Sequence, residues 1–171
     1  MTKSNLQVSI NDAIALTDEF NIACGNKLSE TVDANFNAIK NQSLRVLEEI
    51  KETIIACEGG NKLEILDGIA DVLVTAIGLA TMVHDTVGDV GKSLLAVCNN
   101  NSLKYTSCPA TAFEWLEWAS TTYNVNGTEE KYFTNSSVHE GIEYFSTRRS
   151  SDGKIMKNRH HPKVRLEEFI Y

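Results

Sequence analysis

The chain has 171 residues, 42% of them hydrophobic, and a formal net charge of −7; this length suffices for one domain with its own core and is too short to expect two. The acidic balance excludes attraction to nucleic acid or an anionic membrane by bulk electrostatics, so a polyanionic partner would need a local basic patch or a bridging cation. Cys24, Cys57, Cys98 and Cys108 are widely spaced with no CxxC pair, a pattern without a zinc-binding spacing that predicts buried thiols.

The opening residues, MTKSNLQVSINDAIAL, carry no basic stretch followed by a continuous apolar run, so an intracellular, cytoplasmic protein is expected and the sequons at Asn41, Asn100, Asn126 and Asn135 are read as chance matches. Apolar residues recur at three- and four-residue spacing through the first 124 positions, which predicts helices. Ser9-Ile-Asn-Asp12 has the form of a capping box opening a first helix, and a second helical region is expected from about Ser29 to Glu58, where Gly59-Gly60 stops it. Asn61-Lys-Leu-Glu64 reads as another capping box, opening a third helix to about His84 and closing an antiparallel hairpin. Ile69 to Val83 is the most apolar run; it contains Asp71 and is shorter than a membrane span, so it is read as a core helix and no membrane contact is expected. A fourth helix is expected around Val87 to Cys98, and a fifth from Pro109, carrying Trp115 and Trp118. Residues 124 to 151 are rich in Asn, Ser, Thr and Gly, and the end, RRSSDGKIMKNRHHPKVR, is basic with little periodicity. The expectation is therefore one all-α domain over 1–171: a four-helix-bundle-type core at about 5–123, built on the hairpin, and a loop-rich basic extension at about 124–171.

The hairpin segment, LEEIKETIIACEGGNKLEILDGIADVLV, places Glu48, Glu49, Glu52, Glu64, Asp67 and Asp71 among leucines, isoleucines and valines. On a helix Glu48 and Glu52 lie within about 40° of each other, with Glu49 about 60° to one side of Glu52. Glu64, Asp67 and Asp71 fall within about 60° of arc, continued by the small residues Gly68, Thr75 and Gly78. Two such stripes facing each other without counter-charge would repel and lose hydration worth several kcal/mol per ion. Carboxylates without Cys or His are hard oxygen ligands, suited to Mg²⁺ or its substitute Mn²⁺. Magnesium commonly shares its coordination with substrate phosphates, so such a site points to a phosphate ester.

The run E48-E49-x-x-E52, followed by E64-x-x-D67-x-x-x-D71-V-L-V, resembles the EExxE and ExxD signature of the all-alpha nucleoside triphosphate pyrophosphohydrolases, the MazG-like and phosphoribosyl-ATP pyrophosphohydrolase-like proteins. The likeness covers about Glu19 to Gly78, and the shorter NNSLKY and SSDGKIMK resemble later segments of the phosphoribosyl-ATP pyrophosphohydrolase-like branch. Many members carry the acid of this helix directly before the VL run with a second acid at position 68, where this chain has Gly68; either Glu64 and Asp67 form the pair with Asp71 as a further acid, or the register differs. The resemblance implies Mg²⁺ held by Glu48, Glu49, Glu52, Glu64, Asp67 and Asp71, and hydrolysis of a (deoxy)nucleoside triphosphate to monophosphate and pyrophosphate in nucleotide-pool clean-up. It also implies a homodimer or homotetramer. Glu49 or Glu48 is the candidate to take the proton of the attacking water, and Lys104, Lys154 and Lys157 are candidates for phosphate contact. The alternative is a non-catalytic helical adaptor whose acidic face binds a basic partner. A di-iron bundle is disfavoured because Glu49 is followed at i+3 by Glu52 and Glu64 by Asp67, where Glu-x-x-His would be needed.

Overall fold

The structure is a computed structural model that describes residues 3–26, 32–123 and 130–171. It is mostly helical, with five α-helices among the described residues: α1 (Lys3–Ala23), α2 (Val32–Glu58), α3 (Lys62–Thr86), α4 (Val90–Ser102) and α5 (Pro109–Thr122). Two strands follow, β1 (Tyr132–His139) and β2 (Ile142–Arg149), then a short 3₁₀ helix at Leu166–Phe169. The chain divides into two compact units, residues 1–91 with Phe169–Tyr171, and residues 92–168.

In the first unit α3 is the central rod, on which both α2 and α1 pack. The α2–α3 connection is made by three residues whose backbone N–H groups all donate to α2. Gly60 sits at φ +64, its N–H donates to Cys57 O at 3.1 Å, and the N–H of Asn61 donates to Ala56 O at 3.1 Å. These are the two bonds of a Schellman motif, which needs a left-handed residue where Gly60 stands. Asn61 then caps α3, its Oδ1 accepting from Leu63 N at 3.2 Å and Glu64 N at 3.4 Å, so one residue closes one helix and opens the next. The end of α1 is built the same way: Gly25 has φ +71, and Asn26 N donates to Asn21 O at 2.9 Å. The last residues return to this unit, where Asp89 N donates to Phe169 O at 2.8 Å and Tyr171 N to Val87 O at 3.1 Å.

In the second unit α5 packs on both strands. Ala112 and Ala119, seven residues apart on one face of α5, are its buried hydrophobic residues, Ala119 completely so, and the rings of Trp118, Tyr123 and Tyr132 follow one another at centroid distances of 5.3 and 6.1 Å. The outer edge of β2 is covered by Thr106, which exchanges both backbone bonds with Phe145 at 3.0 and 2.7 Å, and by Met156 N donating to Thr147 O at 2.9 Å.

Several expectations are corrected. The tail foreseen as loops contains an antiparallel hairpin, with Tyr132 opposite Arg149 and His139 opposite Ile142. Its turn is Glu140-Gly141, both at positive φ (52° and 79°), the geometry that matches strand twist; a glutamate in place of the usual Asn or Asp, and strands rich in Ser, Asn and Thr, hide the signal. Helix α1 begins at Lys3, so Ser9 lies within it and not at its start. The expected start of the second helix at Ser29 and the sequon at Asn126 lie outside the described residues. The four cysteines are free and exposed, and Ile69, Leu73 and Val74 of the expected core helix are exposed as well, with Gly78 the buried residue of α3. For α3 the reason is that, among the described elements of this unit, α1 and α2 alone pack on it. By length and composition α3 is the one described helix apolar enough to cross a membrane, although Glu64, Asp67 and Asp71 lie along it.

Gly88 allows the C-terminal residues to dock, because a Cβ there would lie 2.3 Å from Phe169 O. Gly88→Ala is expected to cost about 1–3 kcal/mol and to speed hydrogen exchange at the amides of Asp89 and Tyr171, read by mass spectrometry.

Candidate metal and phosphate site

The turn chemistry sets α2 and α3 antiparallel, and Gly68 sets how closely they approach. A Cβ at Gly68 would meet Thr53 Oγ1 at 2.6 Å and Thr53 Cα at 3.4 Å, so the helices touch there, beside Glu52. Thr53 is held in place as its hydroxyl donates to Glu49 O at 2.9 Å. A side chain at position 68 would press on Thr53 at this contact, and the acids of α3 near it are Glu64, Asp67 and Asp71. All three, with Glu52, line a groove of about 380 Å³ that also includes Ile55, Ala56, Gly59, Asn61 and Gly68.

Glu49 is half-buried, and Glu48, Glu52, Glu64, Asp67 and Asp71 are exposed. The expectation that these carboxylates border a buried core is corrected accordingly: they look onto an open groove, where water hydrates them. Their mutual repulsion is nevertheless felt. Loss of solvent and the charges of Asp71, Glu52, Glu48 and Asp67 raise the proton affinity of Glu49 above the ordinary glutamate value of 4.5. Four of the other five acids are thus close to Glu49, and Glu64 joins Glu52, Asp67 and Asp71 along the groove. Among the described residues no three His, Cys, Asp or Glu side chains are placed tightly enough to form a closed metal cluster. The donor chemistry fits a hard divalent cation that keeps part of its water shell.

The three candidate lysines fall in the second unit. Lys104 and Lys157 come together around His161, whose proton affinity is lowered by desolvation and then by these two positive charges. His161, expected on the surface, is half-buried and its Nε2 lies 2.7 Å from Asn100 Oδ1, while Asn100 Nδ2 donates to Pro162 O at 2.9 Å. The NNSLKY segment thereby packs against the NRHHP segment. Lys154 stands after a turn in which Asp152 Oδ1 accepts from Arg149 Nε at 2.9 Å and Lys154 N at 3.0 Å. The two weak motifs have structural uses within this unit. In the first unit His84 is satisfied as expected, its Nδ1 accepting from Val90 N at 3.3 Å.

Sequence reasoning missed the Gly68–Thr53 contact and the polar pocket beside Gly78 described below. A glycine in the middle of an otherwise apolar helix was the available signal for the first.

In metal-free protein the carboxyl of Glu49 is expected to titrate above 4.5, and Asp71→Asn to bring it down, measured by carboxyl ¹³C shifts. Because the folded-state value is raised, ionised Glu49 opposes folding at neutral pH, and that opposition is relieved as pH falls through its titration range.

No family model, curated protein or solved structure matches this chain.

Proposed function

We propose that the α2–α3 groove binds a divalent cation, Mg²⁺ or Mn²⁺, together with the phosphates of a nucleoside triphosphate, and that the protein hydrolyses it to the monophosphate and pyrophosphate. The observation that carries this reading is the convergence of Glu52, Glu64, Asp67 and Asp71 on one groove beside Glu49, whose proton affinity Asp71, Glu52 and Asp67 help to raise. Such a concentration of negative charge attracts cations, and a polyanionic substrate is held only if a cation lies between.

Glu52, Glu64, Asp67 and Asp71 would hold the metal from the two sides of the groove, with Glu48 at its edge. A bound divalent cation supplies charge neutralisation of the phosphates and acidifies a coordinated water. Glu49 is the residue to receive the proton of the attacking water, since its raised affinity brings it nearer the working range of a general base than an ordinary glutamate. Thr53, by anchoring to Glu49 O and pressing on Gly68, keeps the two acidic stripes in register. This account uses residues of the first unit alone.

The same reading includes self-association and a cytoplasmic place of action. Leu63, Leu66 and Ile55 are 73%, 71% and 66% exposed, and Leu66, Ile69 and Leu73 form an apolar strip on the side of α3 turned away from the acids. Side chains of this kind gain about 25 cal/mol per Å² when covered, and a second copy of the hairpin is the surface that completes a four-helix core in a homodimer or homotetramer.

Incubation with a panel of ribo- and deoxyribonucleoside triphosphates in Mg²⁺ is expected to yield monophosphate and pyrophosphate. Turnover should vanish with EDTA and fall roughly 100-fold or more in Glu52→Gln, the scale of removing one electrostatic contact to a phosphoryl transition state. Folded protein that turns over no triphosphate would favour the adaptor reading, in which the acidic groove receives a basic partner. Sedimentation should show a dimer or tetramer, and Leu66→Glu should shift it toward monomer.

A further inference from the structure

A second cavity in the first unit, of about 400 Å³, lies where the end of α1 meets the C-terminal part of α3 and is lined by Asp18, Asn21, Asn26, Gly78, Thr81 and Asp85, with Ile22 and Met82. Along α3 it lies C-terminal to the acidic groove. Glu64, Asp71, Gly78 and Asp85 recur every seven residues, so they lie on one face of α3, each about 10.5 Å further along the axis. Gly78 opens the cavity, since a Cβ there would come within 3.4 Å of Gln42 Nε2 and 3.6 Å of Asn21 Nδ2. Gln42 itself spans the interval between groove and cavity, donating to Thr75 O at 3.0 Å.

The walls are organised before any ligand arrives. The Schellman turn at Gly25 carries Asn26 back over Asn21, whose Oδ1 accepts from Asn26 Nδ2 at 3.2 Å. Thr81 Oγ1 lies 3.1 Å from Asp18 Oδ1 and 3.2 Å from Ile77 O, two acceptors that compete for its one proton. Two carboxylates, which only accept, stand in the lining with the carboxamides of Asn21 and Asn26 and without Lys or Arg. Phosphate is repelled here. A flat heterocycle fits, with its faces against Ile22 and Met82 and its N–H donors toward Asp18 and Asp85.

We infer that this cavity takes the base of the nucleotide whose phosphates lie in the groove, and that its carboxylates select bases bearing an exocyclic amino group over uracil and thymine. The inference rests on the triphosphate reading above. Cytosine, adenine and guanine present an NH₂ to a carboxylate acceptor, whereas uracil and thymine would set a carbonyl oxygen against it.

The test compares kcat/KM for dCTP, dATP, dGTP, dUTP and dTTP in the whole protein and in Asp18→Asn and Asp85→Asn, with folding checked by circular dichroism. Binding of dCMP and dUMP without metal is measured in parallel by calorimetry. Amino-bearing bases should be favoured by about tenfold or more, and Asp18→Asn, which turns an acceptor into a mixed donor and acceptor, should erode that ratio through KM. Hydrolysis with no base preference, or with a preference that neither variant alters, overturns the inference and leaves the hydrolase reading standing. If no triphosphate is hydrolysed while dCMP binds in preference to dUMP and Asp18→Asn abolishes that preference, the hydrolase reading falls and the base pocket stands. Absence of both hydrolysis and monophosphate binding overturns both.

Discussion

Everything proposed for this protein depends on how closely α2 and α3 can lie side by side. Helix axes approach to within contact of a backbone only where one partner lacks a side chain, and Gly68 provides that against Thr53. The close approach brings residues on the two sides of the contact within reach of one another, so Glu49 feels the charge of Asp71 and Asp67 from the opposite helix. Any larger residue at 68 would wedge the helices apart and dilute the field that defines the groove.

The turn joining the helices enforces the same geometry from its end. Gly59, Gly60 and Asn61 are enough to reverse the chain because orphan backbone groups are taken up at both ends: carbonyls of α2 by the N–H groups of Gly60 and Asn61, and the Leu63 and Glu64 amides of α3 by the Asn61 side chain. A connection this short leaves no freedom to slide one helix along the other, and the register that sets Glu52 beside Asp67 and Asp71 follows from it. Electrostatic repulsion among the acids works against the hairpin, so the apolar contacts and the saturated turn must outweigh it. This is the arrangement expected where charge is concentrated for binding and the surrounding packing supplies the stability.

The two units show contrasting solutions to burial. The second unit covers a two-stranded sheet with one helix, and small alanines allow α5 to lie close to the strands. The first relies on long helices whose outer sides remain open, with large aliphatic residues of α2 and α3 facing water. Exposed apolar strips on both helices of a hairpin are costly to keep hydrated, which is the physical basis for reading the first unit as one part of a larger assembly.

The amino-acid sequence by itself determined the helices, their turns and the acid spacing. Those features depend on groups a few residues apart: Asn61 reaches amides two and three positions on, Gly60 relaxes its own φ, and helical periodicity aligns Glu64, Asp67 and Asp71. The tertiary structure decided what covers what. It left Ile69, Leu73 and the cysteines exposed, paired Tyr132 with Arg149 across a Glu-Gly turn, gathered Lys104 and Lys157 around His161, and opened a cavity between Asn21 and Gly78. Each of those outcomes hangs on contacts between segments distant in the chain, and burial is a property of the neighbouring surface as much as of the residue. A local pattern specifies which face of a helix is apolar; only the packed chain specifies whether anything lies against it.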